Sequence, residues 1–245
     1  DFIPVDSEHF SIWSLINKNT NKNIEKVFIT ASGGPFNNYP LKKFQTINPK
    51  KALNHPNWRM GKKISIDSAT MMNKVFEVIE AKKIFDLEYN KIKILVHPKS
   101  YIHAIVKFSN GLSKILVHDT NMTIPIFNSY YEDGENKIKS KNLNISILNN
   151  LELKNVDLKK FPVVNILKSL PNKNSLFETV LVAANDKLVY LFLKNKIKFT
   201  DISRILLKII NSNEFRKYKQ IRPESITQIE RLNKYVSLKV ETLSI

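Results

Sequence analysis

The 245-residue sequence contains no cysteine, which excludes disulfides and thiolate metal sites and fits a reducing compartment. Glycine is almost as scarce. There are five (Gly33, Gly34, Gly61, Gly111 and Gly134), and none falls in the G-x-G-x-x-G spacing that follows the first strand of a dinucleotide-binding fold. No apolar run approaches the ~18–20 residues needed to span a bilayer, and no signal or transit segment is recognisable. The first residue is Asp1 rather than Met, which points to processing or to a longer parent chain.

Arginine is the other scarcity. A formal charge of +17 invites a nucleic-acid partner, since basic surfaces bind phosphate backbones. Yet arginine occurs only at Arg59, Arg204, Arg216, Arg222 and Arg231, whereas phosphate-clamping and base-reading surfaces favour its bidentate fork. The lysines are scattered among many Asn and Ile residues, all with AT-rich codons. Codon bias therefore explains the charge without nucleic acid, and neither nucleic acid nor membrane is expected as a partner.

What is present suffices for a real core. With 42% hydrophobic residues the length allows one large domain or two smaller ones. Residues 1 to about 140 read as mixed α/β. β-type runs occur at Lys26–Thr30, Lys63–Ile66, Ile92–Val96, Ile102–Phe108 and Ser113–Val117, the last two forming a hairpin around Asn110-Gly111. A helical stretch runs from about Ser68 to Phe85. From Glu132 to Lys160 the chain turns polar, as a connecting arm (141–160 at its narrowest) with a short strand at Ile145–Leu148. Beyond Phe161-Pro162, apolar residues recur at helical spacing over Val163–Leu170, Leu176–Leu193, Thr200–Ile210 and Glu224–Leu243. The fold class expected is α+β: a mixed α/β catalytic domain with a small sheet (1–140), the arm, and a C-terminal helical bundle (161–245).

Several short constellations carry chemistry. In Asp6-Ser7-Glu8-His9 the two carboxylates lie at i and i+2, on one side of an extended segment. Two converging carboxylates need a cation or a shared proton between them, and all-oxygen ligation suits Mg²⁺ or Mn²⁺ better than zinc. His9 is either an extra ligand or a structural hydrogen-bonding residue. Thr30-Ala31-Ser32-Gly33-Gly34-Pro35 follows a strand. Its glycines allow close backbone approach and Ser32 offers a hydroxyl to an anion, although a plain tight turn reads the same way. His55-Pro56-Asn57-Trp58-Arg59-Met60-Gly61 is a mobile flap over a small ligand or a hydrophobic loop anchor. His97-Pro98-Lys99-Ser100-Tyr101-Ile102-His103 leaves the end of a strand, where loops usually carry function. In Lys63 to Glu77 an alternating run (Ile64, Ile66) stops at Asp67-Ser68, both good helix-capping residues. Asn73, Lys74 and Glu77 then share one helix face, which is either solvated or a site for an anionic, metal-chelating ligand.

In this order the motifs resemble those of the 1-deoxy-D-xylulose 5-phosphate reductoisomerase family, densely over residues 1 to about 125. The match resumes more loosely at Phe161-Pro162, Val182-Ala183-Ala184-Asn185-Asp186 and Ile197–Ile202. The resemblance implies an enzyme of non-mevalonate isoprenoid synthesis. It rearranges 1-deoxy-D-xylulose 5-phosphate by a retro-aldol/aldol step and reduces the resulting aldehyde with NADPH to 2-C-methyl-D-erythritol 4-phosphate. It implies that Asp6, Glu8 and Glu77 hold Mg²⁺ or Mn²⁺, and that Ser7 meets the substrate hydroxyls. Ser32, His55, Ser68, Asn73 and Lys74 bind substrate mainly around the phosphate, with His55 and Lys74 counted among the catalytic group. Trp58 and Met60 form the closing flap. Met60, Gly61, Ser100 and Met122 lie near the nicotinamide, and His9 and His103 support. It further implies a homodimer in the bacterial cytoplasm or, alternatively, the plastid stroma.

The pattern departs in places. Nothing corresponds to the family's N-terminal NADPH-binding domain, so this chain alone is expected to bind NADPH poorly. Val75 stands where the family usually has glycine and Asp186 where it has glutamate. The segment between His9 and Ser32 is short, and Ile126–Gly134 diverges. The rival readings are a catalytically inactive remnant kept as a dimerisation module and a basic nucleic-acid-binding domain. The first sits badly with two intact sets of clustered polar residues, and the second with scattered lysines and scarce arginine.

Overall fold

The computed structural model describes residues 2–16, 23–131 and 136–244. Along the chain run α1 (Ser7–Ile16), β1 (Ile24–Ala31), α2 (Pro49–Ala52), α3 (Lys62–Thr70) and α4 (Met72–Phe85). Next come β2 (Ile92–Val96), β3 (Ile102–Phe108), β4 (Ser113–Val117), α5 (Thr123–Tyr130), α6 (Ile145–Leu148) and β5 (Lys154–Asn155). The helices α7 (Phe177–Leu193), α8 (Phe199–Asn211), α9 (Asn213–Arg216) and α10 (Ile226–Ser244) close the sequence. The class is α+β, and the chain packs as two units, residues 1–37 with 74–156 and residues 38–73 with 157–245. This division differs from the expected 1–140, 141–160 and 161–245, because 38–73 packs with the later helices and 141–156 stays with the sheet.

The first unit is built on one sheet in the order β4-β3-β1-β2-β5. β1 runs parallel to β2, with Ile29 opposite Ile94, and antiparallel to β3, with Ile29 opposite Ala104. Val27, Ile29 and Ala31 alternate into the core, two of them β-branched residues that suit a strand. Gly111, at φ 88°, makes the tight turn into β4. Because β1 and β2 are parallel, the loops after them leave the same end of the sheet, where the His97 amide donates to the Ala31 carbonyl over 2.7 Å. Sites of α/β sheets form at such strand ends.

The second unit packs α7 against α3, α8 and α10. Phe161, Phe177, Phe192 and Phe215 are fully buried in it, each contributing about 1.5–3 kcal/mol by the transfer of its ring from water. Phe44 meets Phe161 and Phe199 edge-on, at 6.5 and 6.1 Å between ring centroids.

Several local expectations are corrected. Lys63–Ile66 is helix, not strand, and Asp67-Ser68 lies inside α3 rather than capping a later helix. The alternation was two isoleucines long, whereas Lys63 and Asp67 pair at i,i+4, a helical spacing. The helical stretch is therefore two helices, divided at Met71, which adopts a left-handed φ of 67°. Asp6-Ser7-Glu8 is not extended: α1 starts at Ser7. Ile145–Leu148 is one helical turn, because the Asn144 side chain accepts from the Ile147 amide at 3.0 Å. The segment from Pro162 to Ser169 is a 3₁₀-helix, while the polar stretch beginning at Glu132 starts in residues 132–135, outside the described residues. The real strand of the arm is β5, which adds to β2 with Val96 opposite Lys154.

Candidate active site

Within the first unit, the start of α1 and the first turns of α4 bring three carboxylates together. Asp6 precedes α1. Its carbonyl accepts from the Phe10 amide at 2.7 Å and its Oδ1 from the Glu8 amide at 3.2 Å. Glu8 occupies the first helical turn, where the macrodipole favours negative charge, and the Ser7 hydroxyl donates to its Oε2 at 2.5 Å. Glu77 is buried on α4. One carboxylate oxygen each from Asp6, Glu8 and Glu77 lies within 4.8 Å of the other two. Lys74, one turn before Glu77 and also buried, donates to Glu77 Oε2 at 2.5 Å and to Glu8 Oε1.

The electrostatics follow from crowding. Burial, then the negative Glu8 beside it, pushes the Glu77 carboxyl well above the usual range despite Lys74. For Lys74, burial opposes the charged form, but Glu77 and Glu8 outweigh it and raise the ammonium above the usual lysine value. Asp6 is half-exposed at its side chain. Desolvation opposes its ionisation, but the hydrogen bond and charge of His9, with Lys74, bring it down to about 2. His9 is buried, with Nδ1 3.2 Å from Asp6 Oδ1 and 3.8 Å from Glu80 Oε2, and Nε2 2.9 Å from the Glu77 carbonyl. Burial lowers its pKa, and the Asp6 contact more than reverses that. Glu8 and Glu77 share one lysine ammonium and Asp6 faces His9, so the three carboxylates are only partly balanced. An all-oxygen donor set of this size fits a hard divalent cation such as Mg²⁺ or Mn²⁺.

The other expected residues divide between the units. In the first, Ser32 follows β1 and its hydroxyl accepts from the Gly34 amide at 3.0 Å. Gly33 has φ 83°, and a Cβ there would come within 2.7 Å of the Asn37 side chain, so this turn requires glycine. Ser100 is buried, with φ 50°, in the turn after β2. His103 on β3 stacks on His118, ring centroids 3.6 Å apart and planes 9° from parallel. Met122 directly precedes α5.

In the second unit, His55, Trp58, Met60 and Gly61 lie in the irregular segment before α3. His55 Nδ1 accepts from the amides of Asn57 and Trp58, at 3.2 and 3.0 Å, so the imidazole shapes that segment. Gly61 caps α3 in an extended conformation that requires no glycine, and Ser65 donates to its carbonyl at 2.9 Å. Ser68 lies on α3 and Asn73 on the first turn of α4.

Two features were missed in the sequence. One is Glu80, whose i,i+3 spacing from Glu77 was the available signal. The other is a network in which buried Asp67 and Asn185 join exposed Lys63 and Asp186, for which only the Lys63–Asp67 spacing gave a local hint.

Comparison with known proteins gives a consistent picture. Residues 2–85 match the model of the 1-deoxy-D-xylulose 5-phosphate reductoisomerase C-terminal domain, and residues 118–236 match that of the DXP reductoisomerase C-terminal domain. The chain is 65% identical over 244 residues to the 1-deoxy-D-xylulose 5-phosphate reductoisomerase of Pelagibacter ubique, covering 100% of this chain and 63% of that protein. It is 40% identical over 217 residues to that of Persephonella marina, covering 89% of this chain and 58% of the relative. Among solved structures, the Zymomonas mobilis enzyme in complex with NADPH matches with a TM-score of 0.84 and 31% identity, over 98% of this chain and 61% of that one. A DOX-P reductoisomerase in complex with NADPH, fosmidomycin and magnesium matches with a TM-score of 0.83 and 32% identity, over 99% and 62%. The chain thus spans less than two thirds of the length of these relatives.

Proposed function

Because the chain belongs to the 1-deoxy-D-xylulose 5-phosphate reductoisomerase family, we propose that it carries the metal- and substrate-binding part of an NADPH-dependent reductoisomerase. The proposed reaction converts 1-deoxy-D-xylulose 5-phosphate to 2-C-methyl-D-erythritol 4-phosphate. The observation that carries this reading is the convergence of Asp6, Glu8 and Glu77 within 4.8 Å, beside Lys74.

Asp6, Glu8 and Glu77 would hold the divalent cation, which when bound supplies Lewis acidity and a template for adjacent substrate oxygens. NADPH supplies the hydride, and Met60, Gly61, Ser100 and Met122 are this chain's proposed contributions near the nicotinamide. The chain's own residues do the rest by position. His9 holds Asp6 and the Glu77 backbone in place. Ser7, hydrogen-bonded to Glu8, is the proposed contact for substrate hydroxyls. From the family resemblance, Ser32, His55, Ser68, Asn73 and Lys74 are the proposed phosphate and substrate ligands. A phosphate so held contributes remote binding energy that orients the reacting carbons. Trp58 is proposed to exclude water when the segment 55–61 closes.

The same reading includes a homodimer. β4 ends the sheet, and Leu112 and Ile115 are exposed on and beside it, a surface that a second copy would cover. None of the described helices is long and apolar enough to cross a membrane. The relatives named above are bacterial, and the bacterial cytoplasm is the proposed location.

Calorimetric titration with Mn²⁺ and a phosphonate hydroxamate substrate mimic tests the site. The expected result is binding of the mimic that depends on Mn²⁺ and is lost in Glu77→Ala. Metal-independent binding, or undiminished binding by Glu77→Ala, would refute the site.

A further inference from the structure

The second unit contains a buried carboxylate that the proposed reaction does not use. Asp67, in the last turn of α3, is 1% exposed, and both of its oxygens are engaged. Oδ1 accepts from Asn185 Nδ2 on α7 at 2.8 Å, and Oδ2 lies 2.8 Å from Lys63 Nζ. Lys63 also reaches Asp186 Oδ1 on α7 at 3.0 Å. Asn185 is fully buried, and the donor sense of its amide is fixed, because reversing it would set an amide oxygen against the carboxylate. The Asp67 carbonyl accepts from the Thr70 hydroxyl at 3.1 Å.

Such a network is a costly way to join two helices. Apolar side chains of similar volume often hold a helix pair as well or better, since a buried charge must first be desolvated. Burial indeed raises the Asp67 pKa, against the pull of Lys63 and Asn185. What directional bonds add is a fixed rotation of α3 about its own axis, which apolar packing constrains less tightly. Ser68, the next residue, has a half-buried side chain. A side-chain atom roughly 5 Å from a helix axis moves roughly 1.7 Å when the helix turns by about 20°. A misplacement of about 1 Å can cost about 100-fold where a ligand must be oriented.

We propose that Asp67 is a positioning residue: tied to Asn185 and Lys63, it fixes the rotation of α3 on α7 and thereby the placement of Ser68 for an anionic ligand. The inference rests on the reading of Ser68 as a substrate-phosphate contact. Neither Asn185 nor Asp186 needs to touch the ligand for the effect to operate.

The test exchanges the partners. Asn185→Asp sets two carboxylates against each other, and adding Asp67→Asn restores one donor and one acceptor with their positions reversed. With Mn²⁺ present, Asn185→Asp should bind the phosphonate hydroxamate mimic roughly tenfold more weakly, and the double variant should return to within about threefold of wild type. Asn185→Leu, which puts an apolar residue in the buried position, serves if Asn185→Asp does not fold. It should weaken binding roughly tenfold at a temperature well below its own thermal midpoint, which falls because Asp67 loses a buried hydrogen bond. Unchanged binding in the single variants, or no recovery in the double variant, would overturn the inference. If the wild-type chain itself does not bind the mimic, the proposed function falls instead. Amide hydrogen exchange over residues 62–70 then decides: faster exchange in Asn185→Asp with recovery in the double variant supports the positioning role, and unchanged exchange overturns it.

Discussion

The Nε2 of His9 lies 2.9 Å from the carbonyl oxygen of Glu77. On the other side of the ring, Nδ1 faces the Asp6 carboxylate at 3.2 Å, so one imidazole joins α1 to the backbone of α4 at the point where their carboxylates meet. Neither acceptor can donate a proton. The arrangement therefore favours an imidazolium that donates from both nitrogens, in line with the raised pKa of His9.

Replacing His9 should accordingly weaken the proposed metal site without removing a proposed ligand. Loss of an outer partner of a metal ligand typically costs about 10–100-fold in affinity. For His9→Gln the expected loss is at the lower end, about tenfold in Mn²⁺ affinity by electron paramagnetic resonance titration, because the glutamine amide can still donate to one of the two acceptors. Affinity equal to wild type would show that Asp6 and Glu77 are positioned without it.

Lys74 gives a prediction with two opposite signs. Its ammonium is shared by Glu8 and Glu77 and competes with a divalent cation for the same oxygens. Lys74→Gln should therefore bind Mn²⁺ roughly tenfold more tightly in the absence of other ligands, a change of about 1.4 kcal/mol. The same variant should bind the phosphonate mimic at least roughly tenfold more weakly, because the mimic loses a cationic partner. A variant that lost both affinities together would indicate a collapsed site and refute the competition.

The departure at Val75 can be settled by stability. Val75 is fully buried in an unbroken α4, so its branched side chain is accommodated by its surroundings. Val75→Gly, the residue that the family resemblance leads one to expect, should destabilise this chain by about 3 kcal/mol. About 2 kcal/mol comes from the cavity and about 1 kcal/mol from glycine in a helix interior. Urea unfolding reads this directly, and an unchanged or higher midpoint would mean that the valine is strained where it sits.

These residues also show how far a sequence can be read. β1 to β4, α7, α8 and α10 were legible, because their apolar residues repeat at the period of the element and Asn110-Gly111 marks the hairpin. α3 was misread, since Ile64 and Ile66 imitate a strand when only four residues are weighed and the decisive partner of Asp67 is Asn185, far along the chain. The carboxylate cluster has the same character. Glu8 and Glu77 are brought together only by tertiary structure, so no local pattern announces them, and it was the ordered set of motifs that paired them. β5 was lost because two exposed residues carry no periodic signal.

The stacked histidines make stability depend on pH, with a definite sign. His103 is 2% exposed, and burial first, then His118 against its face, lower its pKa from 6.5 to about 3. In the unfolded chain it titrates near its ordinary value, so between about pH 3 and 6.5 the unfolded state binds the extra proton. The stabilisation is thus complete above 6.5 and is lost as pH falls through this window, at about 1.4 kcal/mol per pH unit. His103→Phe keeps an aromatic ring against His118 and removes the titration. Between pH 7.5 and 5.5, urea unfolding should show wild type losing about 1.4 kcal/mol more than His103→Phe. Equal losses in the two proteins would mean that His103 accepts its proton in the folded state, and a larger loss in the variant would reverse the argument.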